Sequence, residues 1–556
     1  MNKLIFLLLI VVLLAPRSAY PSLTNNNYAI VTNASALNDT VWFRVIDSLR
    51  SKRNAVILEY DTSLFEAKAA LAAFDPHWVC FVMRPQDMIA YGSEQFVRDA
   101  SQLTRQLDTD SYGDALWGIL TGYNAADAMR IIKTPDSLAL HSILLKTAGE
   151  WLQWFETGNY FSETDTRAFW YKNQGGNTDT LDEPADCTDT LVSILNSNRV
   201  DLMVSSGHAN VNVWQLHYPN VDSEGWFQSN NGALWGSPSV GAAQPVSTTN
   251  PKVYWAPGNC LIGDFADENS MVPAWIHSAN AVQICGYTTE TAYGEMGWGL
   301  ERYFEELQDR YSFSESFFAS NQAVLFDIDH ATPGQDQVGL QYDRDVVALY
   351  GDPKMEARVF KTAEPMYDQS LTIDSSNPHQ IHLRAAIKLN YDAGYLHPVF
   401  QPLPISLRSG VVAVDSTNAH TVTVTDDFIM YRPWWGGDST FSKGAQYYVA
   451  FTWTSAQAGV NGSSASSISR LSSLTVFPNP VSTSATLQYS HDVESTVSIS
   501  ICDALGRIVA RPVVGEMESS GSHEASIDTK ELPPGLYSCG LNAGGAEMFA
   551  KIVVVR

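Results

Sequence analysis

Apolar positions along the first hundred residues alternate between two rhythms. Short β-rich runs at 28–31, 55–60 and 78–83 are separated by amphipathic stretches at 40–53 and 63–74, with Asp39 placed to cap the first of these. Strand, helix, strand, helix, strand predicts a parallel sheet, because parallel neighbours need a crossover connection and a helix is the usual one. Further strands are expected at 116–120, 200–204, 253–255 and 281–287, with helices near 125–133, 188–198, 270–278 and 300–308. The fold class is therefore α/β, a parallel-sheet α/β/α sandwich over residues 21–360.

Helical periodicity disappears after that point. Alternating runs over 361–455, including 380–389 and 411–425, predict a small immunoglobulin-like β-sandwich as a separate domain. Residues 456–473 are dominated by Ser, Ala and Gly and predict a flexible linker. The last stretch, 474–556, predicts another all-β unit, with strands at 474–477, 484–489, 496–502, 536–541 and 547–555.

The N-terminus reads differently from all of this. Lys3, an apolar run over 4–15, then Pro16, Arg17, Ser18 and Ala19 have the three parts of a secretory signal, so residues 1–20 are expected to be a cleaved signal peptide. That run is short of the ~20 residues a membrane-spanning helix needs, and no later stretch reaches that length, so no transmembrane segment is expected.

Composition narrows the classes of partner. With 60 acidic and 34 basic residues the 556-residue chain carries a formal charge of −26, which opposes capture of nucleic acid or anionic lipid. Aromatic and aliphatic content is that of a folded protein, and at ~150 residues per domain the length implies three or four domains. Six cysteines are too few to staple a chain of this size. Cys80 reads as core, His277 and Cys285 as packing residues, and Cys502 and Cys539 as a disulfide or two buried thiols.

Two segments repeat one device, an apolar strand running into a glycine-containing turn that presents a reactive side chain. They are Asp201-Leu202-Met203-Val204-Ser205-Ser206-Gly207-His208 and Lys252-Val253-Tyr254-Trp255-Ala256-Pro257-Gly258-Asn259-Cys260. On parallel neighbours their carboxyl ends share the sheet edge where open α/β folds place their crevice, so His208 and Cys260 are expected to meet. A thiolate with a histidine to take and return its proton suffices for acyl transfer, and the adjacent glycines let backbone amides approach an oxyanion. A buried thiol and a packed histidine are the plainer readings of each residue alone. The conjunction of two matched turns, histidine first and about 50 residues apart, favours the catalytic one. His217 is a fallback base. No His-Glu-x-x-His helix or paired Cys-x-x-Cys occurs, so neither a catalytic zinc nor any other cofactor is expected.

Around the pair, Gly294, Gly297 and Gly299 with Tyr293 and Trp298 form an aromatic, glycine-rich stretch that fits a cleft lining better than any nucleotide fingerprint. Asp264, Asp267 and Glu268 read as a solvated helix start, with a structural calcium or a basic substrate side chain as the alternatives. Asp264 or Glu290 would favour Arg or Lys at the P1 position if either faces the pocket.

These motifs resemble the caspase-like cysteine peptidases, and more closely the gingipain-type branch. Trp117-Gly118-Ile119-Leu120 with Asn124-Ala125-Ala126-Asp127-Ala128-Met129-Arg130-Ile131-Ile132 is similar to the segment preceding the catalytic half in that branch, and Leu349-Tyr350-Gly351-Asp352-Pro353 to its closing motif. The resemblance implies Cys260 as nucleophile, His208 as general base and acid, the amides of Cys260 and Ala209 as oxyanion donors, and polypeptide substrates. Ala209 stands where that branch usually has Gly, and Asn259 where it has Ala or Gly. These departures keep open a catalytically inactive, surface-exposed binding protein on the same scaffold, and the same nucleophile would also serve transpeptidation.

A second resemblance covers the last unit. Val476-Phe477-Pro478-Asn479-Pro480, then Val497-Ser498-Ile499-Ser500-Ile501-Cys502-Asp503-Ala504-Leu505-Gly506-Arg507, Leu532-Pro533-Pro534-Gly535-Leu536-Tyr537 and the closing Ala550-Lys551-Ile552-Val553-Val554-Val555-Arg556 resemble the C-terminal sorting domain of the type IX secretion system. That implies passage through the Sec route, engagement of the type IX machinery, and a destination outside the cell or on the outer-membrane surface.

Overall fold

The computed structural model describes residues 27–555 apart from 166–168, 182–184, 218–223, 293, 332–335, 375–378, 393–397, 405, 408–409, 434–439, 456–470, 492–494, 503–507, 531 and 544–545. The expected signal peptide, most of the expected linker and Tyr293 lie outside the described residues. The chain divides into two compact units, with the boundary between Ala456 and Gln457.

In the first unit the opening pattern folds as read. Strand Tyr28–Asn33 pairs in parallel with Val56–Tyr60 and with Trp78–Val82. Helix Thr40–Arg53 starts at Asp39, whose carboxylate accepts from the amides of Val41 and Trp42. Ser63 and Glu66 form a reciprocal capping box at the start of the next helical segment.

These strands belong to a sheet of twelve strands among the described residues. Its order is Val56–Tyr60, Tyr28–Asn33, Trp78–Val82, Leu116–Leu120, Val347–Tyr350, Ala281–Tyr287, Lys252–Gly258, Leu202–Ser206, Ser142–Thr147, Thr157–Ser162, Phe169–Lys172 and Thr178–Leu181. The expectation of a parallel sheet needs correction. Val347–Tyr350 runs parallel to Leu116–Leu120 but antiparallel to Ala281–Tyr287, so two parallel halves of opposite direction meet there. The last two strands are antiparallel as well.

The segment Leu349-Tyr350-Gly351-Asp352-Pro353 locks that seam. Gly351 holds φ +112, and its amide donates to the Ile119 carbonyl at 2.8 Å. Asp352 is buried, accepts from Tyr28 Oη and Arg53 Nε at 2.8 Å each, and so ties the first strand and first long helix to the seam. A Cβ on Gly118 would stand 2.8 Å from the Gly351 carbonyl, which leaves room there for glycine alone.

The expected β-region holds a four-stranded sheet of Tyr367–Ile373, Gln380–Ile387, Gln446–Ser455 and Gly410–Thr417 and a three-stranded sheet of Val399–Pro402, Phe428–Arg432 and Thr421–Val424. It is not separate from the α/β layers. Its buried residues join their hydrophobic core. Tyr311 Oη donates to the Phe400 carbonyl at 2.6 Å, Phe318 packs edge-on against Phe400 and Phe428, and Arg432 pairs with buried Asp327.

The second unit holds two antiparallel sheets. One orders Leu471–Phe477, Ser484–His491 and Gly521–Asp528, and the other Ile508–Glu518, Ser495–Cys502, Gly535–Ala543 and Ala546–Val554. The strands at 508–518 and 521–528 lie where none was expected. Cys539 is buried opposite Ile501, and the side chain of Cys502 lies outside the described residues. Among the described residues no helix is long and apolar enough to cross a membrane.

Candidate active site

Leu202–Ser206 and Lys252–Gly258 are parallel neighbours, with Leu202 opposite Val253 and Ser206 opposite Gly258. The amide of Gly207 donates to the Gly258 carbonyl at 3.3 Å, which carries the pairing one residue past the strands. His208 and Cys260 therefore each follow by two residues a position on the same level of one sheet edge.

Close approach explains the glycines. A Cβ on Gly258 would lie 2.8 Å from both Ser206 Cβ and Trp298 Cζ2, and Gly207 sits at φ +108. Between Gly258 and Cys260, the side chain of Asn259 is wholly buried. Its Oδ1 accepts from Ser205 Oγ at 2.6 Å, and its Nδ2 donates to the Gly207 carbonyl at 2.9 Å. The residue that departs from the usual small side chain is thus a bracket joining the cysteine turn to the histidine turn.

Beyond His208 the chain makes a hairpin, Ala209–Asn210 with Val213–Gln215, at the edge of a five-stranded antiparallel sheet. Gln215 N donates to the His208 carbonyl at 2.9 Å. That bond makes Ala209 and Trp214 a non-hydrogen-bonded pair, so the Ala209 amide turns away from its partner strand towards the sheet's free edge.

Glu163, which sequence reasoning missed, closes the site on the other side. It follows strand Thr157–Ser162, is 5% exposed, and accepts from Ser206 Oγ. Burial raises its carboxyl pKa, while the Ser206 hydroxyl and the charges of Lys146 and His208 pull it back. No local sequence signal marks it, because its place at the site follows from strand Thr157–Ser162 lying beside Ser142–Thr147, which in turn pairs with Leu202–Ser206.

Cys260 is half-buried, and its Sγ accepts from the Thr291 amide at 3.2 Å. Leu261 sits in the left-handed region at φ +60, and its amide donates to the Thr289 carbonyl at 2.9 Å. Gly263 N donates to the Tyr287 carbonyl at 2.8 Å, so the segment after the cysteine is held against the end of strand Ala281–Tyr287.

The remaining expectations divide. Trp298, on helix Glu295–Phe304, covers Gly258 and meets Trp151 edge-on at 5.7 Å. Trp151 in turn stacks on Trp255 at 5.2 Å. Glu290 is exposed and adjoins Thr291, the residue that touches the Cys260 sulfur. Asp264 lies against Ser93 and near Glu94 and Asp267, and burial pushes its pKa up to about 6.

Calcium at Asp264, Asp267 and Glu268 finds no support. The Asp267 carboxylate accepts from the Asn269 amide at 2.8 Å, in the turn that leads into helix Met271–His277. Among the described residues, the groups whose ligating atoms lie within 4.8 Å of one another are elsewhere, at Asp108, Asp114 and Asp426 and at His491, Glu518 and His523. His217 faces Glu224 at 3.6 Å, and Glu224 is the buried partner of Lys146, so the fallback base belongs to that ion-pair cluster. Cys80 and Cys285 are buried core residues, and His277 pairs with Asp127 at 3.0 Å.

Comparison with known proteins bears most directly on the second unit. Residues 475–555 match the family described as secretion system C-terminal sorting domain, so the sorting domain expected from the sequence is present. No curated protein matches the chain. Among solved structures, one described as a protease aligns over 95% of this chain and 97% of its own at 11% identity, with a TM-score of 0.35. Dimeric latent PorU from Porphyromonas gingivalis aligns over 95% of this chain and 64% of its own at 10% identity, with a TM-score of 0.23. A Faecalibacterium prausnitzii beta-glucuronidase covers 32% of this chain and 37% of its own at 14% identity, with a TM-score of 0.12.

Proposed function

We propose that this chain, which carries a secretion-system C-terminal sorting domain, is a cysteine endopeptidase exported by the type IX route. The observation that carries the reading is the register that sets Ser206 against Gly258, together with the Asn259 bracket, because these bring the turns of His208 and Cys260 to one edge. The Cys260 thiolate attacks the carbonyl carbon of a peptide bond after His208 has taken the thiol proton. The carbonyl oxygen, now an oxyanion, takes hydrogen bonds from the amides of Cys260 and Ala209. As the tetrahedral centre collapses, the C–N bond breaks and His208 returns the proton to the leaving amine. Water then gives a proton to His208 and attacks the thioester, which releases the new carboxylate and restores the thiol. Glu163 acts as a positioning residue, its charge holding the imidazole side of the pair.

Glu290 and Asp264 are the acidic groups that would meet a basic P1 side chain, with Trp298 as the apolar wall. Hydrolysis of a peptide library by the full chain, compared with Cys260→Ala and His208→Ala, tests the reading. Both variants are expected to lose about a thousandfold or more in kcat. A Cys260→Ala protein that cleaves as fast as wild type overturns it, and a wild-type protein that binds peptides without cleaving them returns the weight to the inactive binder.

A further inference from the structure

The sorting unit brings together three side chains that no part of the peptidase reading uses. His491 ends strand Ser484–His491, His523 lies on the neighbouring strand Gly521–Asp528, and Glu518 ends strand Ile508–Glu518 of the other sheet. Tyr489 stands opposite His523 and His491 opposite Gly521, so Tyr489, His491 and His523 share one face. The two imidazoles stack at 4.8 Å with 6° between their planes.

Their spacing is that of ligands around one ion. His523 Nδ1 lies 3.3 Å and His491 Nε2 lies 3.6 Å from the same oxygen, Glu518 Oε2. Both separations exceed an ordinary hydrogen bond. They match the edge of a tetrahedron whose centre is a metal about 2.0–2.1 Å from each ligand, which puts neighbouring ligands about 3.3–3.4 Å apart.

The surrounding hydrogen bonds prepare the same atoms. His523 Nε2 lies 2.7 Å from the Ser519 carbonyl, which can only accept, so Nε2 carries a proton and Nδ1 is the nitrogen that faces Glu518. Tyr489 Oη donates to the Glu518 carboxylate, at 2.9 and 3.0 Å from its two oxygens, and holds it in place. Two imidazoles and one carboxylate form a set suited to zinc.

We propose that His491 Nε2, Glu518 Oε2 and His523 Nδ1 form a three-ligand site for Zn2+ that clips the two sheets of the sorting unit together. Its fourth position is left for water or for an incoming donor. Because the ligands come from both sheets, binding adds to the stability of this unit.

The test uses the full chain carrying Cys260→Ala, which removes the other thiolate and histidine pair from the titration. Zn2+ is titrated calorimetrically at pH 7.5, and Co2+ is added in parallel as a spectroscopic probe. One equivalent of Zn2+ should bind, and Co2+ should show the intense visible bands of a tetrahedral site. His491→Gln and His523→Gln should each weaken Zn2+ at least about tenfold to a hundredfold. Circular dichroism checks the fold of each variant, and the Co2+ spectrum needs no change at the site. Absence of saturable binding, which would mean that a proton alone bridges these groups, overturns the proposal. So do octahedral Co2+ bands, and so does binding unchanged in both folded variants.

Discussion

Removing the Asn259 bracket is the most informative single perturbation of the candidate site. Its side chain is wholly buried and makes two hydrogen bonds, one from Ser205 Oγ at 2.6 Å and one to the Gly207 carbonyl at 2.9 Å. In Asn259→Ala, Ser205 keeps a partner, because Tyr254 Oη lies 2.9 Å from its Oγ. The Gly207 carbonyl loses its Asn259 donor. A lost hydrogen bond is worth about 0.5–1.5 kcal/mol and a carbonyl left without its donor up to about 1–3 kcal/mol, the lower end applying to the part-buried Gly207 carbonyl, so the variant should lose about 1.5–3 kcal/mol of stability. Asn259→Asp keeps the shape but sets a carboxylate oxygen against that carbonyl, and should be no better. The functional effect should exceed the structural one, since displacing the two turns by about 1 Å costs about a hundredfold in rate. Urea denaturation reports the first quantity; kcat and the rate of Cys260 alkylation report the second. A folded Asn259→Asp protein with wild-type turnover and wild-type alkylation would refute the bracket.

Three further outcomes follow from the same geometry. Gly258→Ala places a methyl 2.8 Å from Ser206 Cβ and Trp298 Cζ2 and should cost about 1–3 kcal/mol in urea denaturation; an unchanged midpoint contradicts the close approach. Glu163→Gln keeps an acceptor for Ser206 but removes the charge near His208. It should lower kcat about tenfold to a hundredfold and move the acidic limb of the kcat/KM profile to lower pH, and a profile that superimposes on wild type argues against the assignment. Asp264 has a folded pKa of about 6, above its ordinary value of 3.8, so the folded state binds its proton more tightly and this group's contribution falls as pH rises from about 4 to about 6. Asp264→Asn should therefore raise Tm relative to wild type at pH 7 but not at pH 4, and equal shifts at both would contradict the burial of that carboxyl.

Legibility in the sequence followed the regularity of the local signal. Asp39 before an amphipathic run, and Ser63 with Glu66, mark helix starts that the structure reproduces. Helix Phe313–Asp329 escaped because it is buried nearly all round, with Ser314, Ser316, Ser320 and Gln322 buried among its apolar residues, so no clean polar face betrays its period, although Ser312 and Glu315 form a capping box at its start. Strand Ser142–Thr147 hides a buried Lys146, whose charge is matched by Glu224 far along the chain. Pairing direction is a tertiary property, and nothing in Val347–Tyr350 announces that it runs against Ala281–Tyr287. At the candidate site the turns of His208 and Cys260 are readable because each ends an apolar strand in a glycine turn. Glu163 is not, since its relevance depends on which strand neighbours which. Asn259, read as a departure, becomes intelligible only when both of its partners are seen.

The most direct measurement is labelling of the full chain with a library of peptidyl acyloxymethyl ketones, followed by mass spectrometry of the modified cysteine. Modification of Cys260 in preference to the other five cysteines, loss of that modification in His208→Ala, and a preference for Arg or Lys at P1 are expected. A folded protein in which Cys260 reacts no faster than Cys187 or Cys285, or reacts equally well without His208, contradicts the peptidase reading.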